Sequence, residues 1–134
     1  MVIEDCPETR NLLVDLLSDY KVLAFENGEK AIAWLETHPQ EKVDLVLSDF
    51  NMPGANGVET LTRIRKLRPD IKTILMSATI TEDLQQVVVD HCFFACLEKP
   101  FSPLQVEGLI GQVLAMSEKS TISRSSVKTK DSLA

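Results

Sequence analysis

Apolar residues along this chain fall into short blocks that alternate between two spacings. Met1-Val2-Ile3, Val43-Asp44-Leu45-Val46-Leu47-Ser48-Asp49, Ile71 to Met76 and Phe94 to Leu97 are nearly continuous runs of β-formers. Such runs fit strands covered on both faces, as in a parallel sheet. Lys21 to Phe25 predicts a further strand. Between the runs, apolar residues recur at helical spacing: Leu12, Leu13, Leu16 and Leu17, then Ala31, Ile32, Trp34 and Leu35, then Val58, Leu61 and Ile64. A shorter helix is expected from Thr81 to Val89, and a last one along Val106, Leu109, Ile110, Val113 and Leu114.

Punctuation residues agree with this division. Pro7 and Glu8 open the first helix, Asn27-Gly28 ends the second strand, and Pro69 closes the third helix. Ser102-Pro103-Leu104-Gln105 reads as a capping box with Pro at the first helical position. Five strands alternating with five helices predict an α/β fold with a doubly wound, five-stranded parallel sheet. After Met116 the apolar spacing stops and Ser, Thr and Lys dominate. The expected organisation is therefore one domain over residues 1–116 and a flexible tail or linker over 117–134.

Composition narrows the function classes. The 134 residues suit one domain, and 14 Lys+Arg against 20 Asp+Glu leave a net charge of −6. Lys119, Arg124, Lys128 and Lys130 of the tail outnumber its Glu118 and Asp131, so the acidic surplus lies in the folded part. That balance argues against nucleic acid or an anionic membrane as a partner. No apolar run approaches the ~18–20 residues of a membrane span, and the start lacks the pattern of a signal peptide. Cys6, Cys92 and Cys96 cannot all pair, which suits a reducing cytoplasm.

In an open parallel sheet, ligands sit beyond the carboxyl ends of the strands. Those ends carry Glu4 and Asp5, Asp49, Ser77 and Lys99. Three carboxylates in one crevice repel unless a cation sits among them, and a hard cation with oxygen ligands is the simplest solution. A carboxylate nucleophile, a divalent metal, a lysine and a hydroxyl together make a phosphoryl-transfer site.

Val2-Ile3-Glu4-Asp5, Leu47 to Gly57, Ile74-Leu75-Met76-Ser77-Ala78 and Leu97-Glu98-Lys99-Pro100-Phe101 resemble, in order and spacing, the receiver domains of two-component response regulators. The resemblance covers residues 1 to about 116 and implies the flavodoxin-like (βα)5 fold. It makes Asp49 the phosphoacceptor that takes phosphate from a sensor histidine kinase or a histidine phosphotransfer protein. It assigns Mg²⁺ to Asp5, Glu4, Asp49 and the backbone carbonyl of Asn51. Lys99 would contact the phosphoryl group, Ser77 would swing toward it, and Lys99–Pro100 would be a cis peptide. Gly54 and Gly57 would let the loop after Asp49 turn past the metal. The implied output is a switch in binding to a downstream protein or effector domain through the fourth and fifth helices, Val87 and Val88 included, without turnover as an enzyme.

One position departs from the pattern: Cys96 stands where the family usually carries Tyr or Phe, and Phe93 and Phe94 are out of register to replace it. Cys96 is the one feature favouring a second reading, a docking module that works without phosphorylation. A third, a phosphatase with an aspartyl-phosphate intermediate, wants an acid two residues after its nucleophile, where this chain has Asn51. His91, Cys92 and Cys96 are too few and badly arranged for zinc. Cys6 beside two acids is expected to stay a protonated thiol, and His38 to be solvated.

Overall fold

The computed structural model describes the backbone of residues 1–52 and 56–125, with side chains through residue 115. In chain order the elements are β1 (Val2–Ile3), α1 (Pro7–Leu16), β2 (Ala24–Phe25), α2 (Gly28–Thr37), β3 (Leu45–Asp49), α3 (Gly57–Leu67), β4 (Lys72–Ser77), α4 (Glu82–Asp90), β5 (Ala95–Glu98) and α5 (Pro103–Ser125). The five strands are parallel in the order β2-β1-β3-β4-β5. The doubly wound five-stranded sheet expected from the apolar pattern is the one observed.

Handedness explains where the helices lie. A right-handed crossover from β1 to β2 moves one way along the sheet, whereas the crossovers from β2 to β5 move the other way and place their helices on the opposite face. Accordingly Leu13 and Leu17 from the α1 segment pack with Val106, Ile110 and Val113 of α5 against Val2, Leu47, Ile74 and Met76. On the other face Ala31, Ile32 and Leu35 of α2, Leu61 and Ile64 of α3 and Leu84 of α4 cover Ile3, Val46 and Leu75. All of β3 is buried, as its unbroken apolar sequence requires.

Caps fix the helix starts. The side chains of Asn27, Asn56 and Thr81 accept the amides of Lys30, Glu59 and Leu84. Ser102 and Gln105 exchange both capping-box bonds, at 3.2 and 2.8 Å. The second strand is shorter than expected: among the described residues it is an edge strand paired to β1, which offers two residues, Val2 to Ala24 and Ile3 to Phe25. The last helix is longer, running to Ser125 with no Gly or Pro to stop it after Gly111. Residues 126–134 of the expected tail lie outside the described residues, as does Gly54. No helix among the described residues is long and apolar enough to cross a membrane.

Gly57 shows how closely α3 approaches the end of β3. A Cβ there would lie 2.2 Å from the carbonyl oxygen of Asp49, inside any permissible contact. Gly57→Ala should therefore destabilise the fold by about 1–3 kcal/mol in urea unfolding. Gly111→Ala on α5, where a Cβ meets nothing within 4 Å, should instead stabilise it by about 0.5–1 kcal/mol.

Candidate functional site

β1 and β3 are neighbours, and the chain leaves them in opposite directions, so a crevice opens beyond their carboxyl ends. Glu4 and Asp5 follow β1 there, Asp49 ends β3, Ser77 ends β4, and Lys99 follows β5. The sequence-predicted carboxylates and lysine do meet. Glu4 is 1% exposed and Asp49 7%, while the Lys99 side chain keeps 24% of its surface. Lys99 Nζ donates to Glu4 Oε1 at 2.8 Å and to Asp49 Oδ1 at 3.0 Å.

Two carboxylates out of water need this ammonium. Burial pushes the Glu4 carboxyl above the usual range, against the opposing pull of Lys99 and of the Cys6 amide, which donates to Glu4 Oε2 at 3.2 Å. Burial alone would lower the Lys99 ammonium, but the bonds it donates to Glu4 and Asp49 outweigh it and hold its pKa above the ordinary lysine value. Asp5 is exposed, and one carboxylate oxygen from each of Glu4, Asp5 and Asp49 lies within 4.8 Å of the others. An all-oxygen set with one solvent-facing member suits a hard divalent cation that keeps part of its water shell.

Ser77 lies at the same end of the sheet but is engaged elsewhere. Its hydroxyl donates to the Thr79 carbonyl at 2.9 Å and accepts the Thr79 amide at 3.3 Å, with no bond to Asp49 or Lys99. A cavity of about 340 Å³ beside it is bordered by Phe50, Asn51, Thr79, Leu84 and Val87. A larger one, about 510 Å³, lies at the opposite end of the sheet beside Trp34 and Ile110 and contains none of these groups. Asn51 is exposed at the start of the loop after β3. That loop is tied at both ends by Phe50 N–H to Met76 O, at 2.7 Å, and Gly57 N–H to Phe50 O, at 3.0 Å. Lys99–Pro100 is cis, as the motif implies.

Other expectations need adjustment. Cys6 sits at the open end of α1, where hydrogen bonds from the backbone and side chain of Thr9 and the amide of Glu8 pull its thiol below the ordinary range, against the opposing charge of Glu8. His38 is exposed but stacks on Trp34, ring centroids 4.3 Å apart. Among the described residues, His91, Cys92 and Cys96 form no joint metal-ligand group. Cys96 packs, half-buried, against the α2–α4 face, and burial raises its thiol. Phe93 is in the same core and Phe94 on the opposite face, so neither ring stands in for an aromatic at position 96. Arg10, which no motif marks, reaches the rim from α1 and donates to the Glu4 carbonyl at 2.8 Å. Its only sequence signal is its place one turn after Cys6.

This arrangement of acids, lysine and hydroxyl on this topology can be set beside known proteins. The sequence profile of the response regulator receiver domain matches residues 1–110. The chain belongs to that family. It is 32% identical over 116 residues to an uncharacterised 14.6 kDa protein of Leptolyngbya boryana, covering 84% of this chain and 86% of that one. It is 29% identical over 113 residues to the cyclic di-GMP phosphodiesterase response regulator RpfG of Xanthomonas campestris, and 32% over 117 to the DNA-binding transcriptional regulator NtrC of Rhizobium meliloti. These matches cover 83% and 86% of this chain but only 29% and 24% of those longer proteins. Among solved structures, a CheY-like receiver domain from Methanospirillum hungatei superposes with a TM-score of 0.80 at 23% identity, covering 89% of this chain and 94% of that one. Chemotaxis protein CheY4 of Vibrio cholerae gives 0.76 at 22%, covering 84% and 94%. These two likenesses establish the flavodoxin-like receiver fold. A receiver domain is a signalling module of two-component systems rather than an enzyme with turnover.

Removing the ammonium should expose the cost of the buried acids. Lys99→Met should lower stability by about 1–3 kcal/mol at pH 8. Burial already raises the Glu4 carboxyl against the pull of Lys99, so without Lys99 its folded pKa should rise further above the unfolded value. Its favourable share of stability is thus full below the unfolded pKa and lost as pH rises through the folded one. The deficit should therefore shrink at pH 5, as urea titrations at the two pH values will show.

Proposed function

We propose that this receiver accepts a phosphoryl group on Asp49, in the cytoplasm, from the phosphohistidine of a sensor histidine kinase or histidine phosphotransfer protein. The observation that carries this reading is the Lys99 ammonium seated between the Glu4 and Asp49 carboxylates, with Asp5 at the rim. In the reaction, an Asp49 carboxylate oxygen bonds to phosphorus as the phosphorus–nitrogen bond of the donor breaks. The bonding electron pair leaves on the imidazole, and Asp49 becomes an acyl phosphate.

Asp5, Glu4 and Asp49, with the carbonyl of Asn51, would hold Mg²⁺, which when bound neutralises charge on the phosphoryl oxygens. Lys99 is already within reach of Asp49, so it exchanges a carboxylate oxygen for a phosphoryl oxygen with little movement. The transition state is loose, and fixed positive charge aimed at its oxygens is the protein's main contribution. Ser77 has a hydroxyl whose present partners are both in Thr79. Releasing Thr79 to donate to the phosphoryl group frees the β4–α4 turn next to the cavity beside Leu84 and Val87. The phosphoryl group adds about −1.5 to −2 charges. The switch then alters the α4–β5–α5 surface offered to a downstream protein or effector domain.

Cys96 favours a second reading, a docking module indifferent to phosphorylation, since no ring is present to follow Ser77. The two readings part in one experiment. With Mg²⁺ and acetyl phosphate, the wild-type chain should gain one hydroxylamine-labile phosphoryl group by mass spectrometry, and Asp49→Asn or EDTA should abolish it. Lys99→Ala should slow the gain at least tenfold, about 1.4 kcal/mol of barrier. A wild-type chain that stays unmodified by acetyl phosphate and binds no beryllium fluoride leaves the docking reading in place.

A further inference from the structure

Successive side chains on an extended backbone point to opposite sides, yet Glu4 and Asp5 present oxygens to one site with Asp49. The chain must therefore turn between the end of β1 at Ile3 and the cap of α1 at Cys6. The peptide groups in that turn belong to neither ladder, and each needs a partner of its own. The Glu4 amide donates to Phe25 O at 3.0 Å, and the Cys6 amide donates to the Glu4 carboxylate. The carbonyls of Glu4 and Asp5 have no main-chain donor among the described residues. Both accept from one side chain: Arg10 Nη1 lies 2.8 Å from Glu4 O and 3.4 Å from Asp5 O.

Resting on the metal-dependent reading above, we infer that Arg10 is a positioning residue for the acidic pair. Its guanidinium ties the two peptide carbonyls to α1 and so fixes the direction in which the Glu4 and Asp5 carboxylates face Asp49 and a divalent cation. A guanidinium suits this work because it is always charged and its donors are held in one rigid plane. Arg10 is anchored from its own side too, because its amide closes the first turn of α1 on Cys6 O at 2.9 Å. Its charge also helps, in smaller part than Lys30, to hold the exposed Glu26 carboxyl low.

A purely electrostatic role predicts the opposite behaviour. A cation next to an acidic pocket repels a divalent ion, so removing its charge should tighten binding. A positioning role predicts looser binding, since losing a partner that orients metal-binding groups typically costs about 10–100-fold in affinity.

The experiment is a calorimetric titration of Mg²⁺ into the full chain at fixed ionic strength, without phosphodonor, for wild type, Arg10→Gln and Arg10→Lys. Arg10→Gln should bind at least tenfold more weakly, and Arg10→Lys should recover part of the loss. With acetyl phosphate, Arg10→Gln should need more Mg²⁺ for half-maximal rate while keeping most of the rate at saturation. Unchanged or tighter Mg²⁺ binding by Arg10→Gln overturns the inference. Should Arg10→Gln fail to fold, Arg10→Lys decides in the same way. A wild-type chain that binds Mg²⁺ yet accepts no phosphate removes the proposed function while the titration still judges Arg10. A wild-type chain that binds no Mg²⁺ overturns the inference.

Discussion

Two carboxylates almost shut off from water and one half-buried ammonium set the terms for one end of this molecule. Glu4 follows β1 and Asp49 ends the neighbouring β3, and both are buried where a compensating cation is needed to make their burial tolerable. Lys99 supplies that cation from the far side of β4, bridging 95 residues of sequence to reach Glu4. The bridge needs β5 to end where it does and its chain to turn back toward β3. A shift of register in any of three strands would leave a charge buried and alone.

The fold was legible because its causes are local. Leu45 to Leu47 can only be a strand covered on both sides, and Ser102 with Gln105 announces a helix start in four residues. Glu4, Asp5, Asp49 and Lys99 were legible for a different reason: the topology gathers strand ends wherever in the sequence they occur. What escaped notice lacked such a rule. Arg10 looks like any exposed helix arginine, and its partners are backbone carbonyls that have no letter in the sequence. The pull on the Cys6 thiol was half visible: the charge of its acidic neighbours can be read in the sequence, whereas the open amides of α1 cannot. The short β2 follows from its partner's length and not from its own residues.

The two faces of the sheet divide the labour. On one, apolar side chains of α1 and α5 close over Leu47, Ile74 and Met76. On the other, Thr60 and Thr73 bury hydroxyls with no partner among the described residues, and Cys96 occupies a half-buried place beside Leu75. The second face also carries α4 and its cavity.

Strand pairing across the site is uneven. β3 and β4 share five register pairs, whereas β1 meets β2 through two and β3 through two. Two of the three acids of the cluster, Glu4 and Asp5, thus hang on the sparsest hydrogen-bonded seams of the sheet. Lys99 reaches over the β1–β3 seam like a clasp, fastening the first strand to the loop that follows the last. The first strand's grip on the sheet therefore depends on a charge at its tip, and whatever draws Lys99 away from Glu4 loosens an edge of the protein as well as altering its surface.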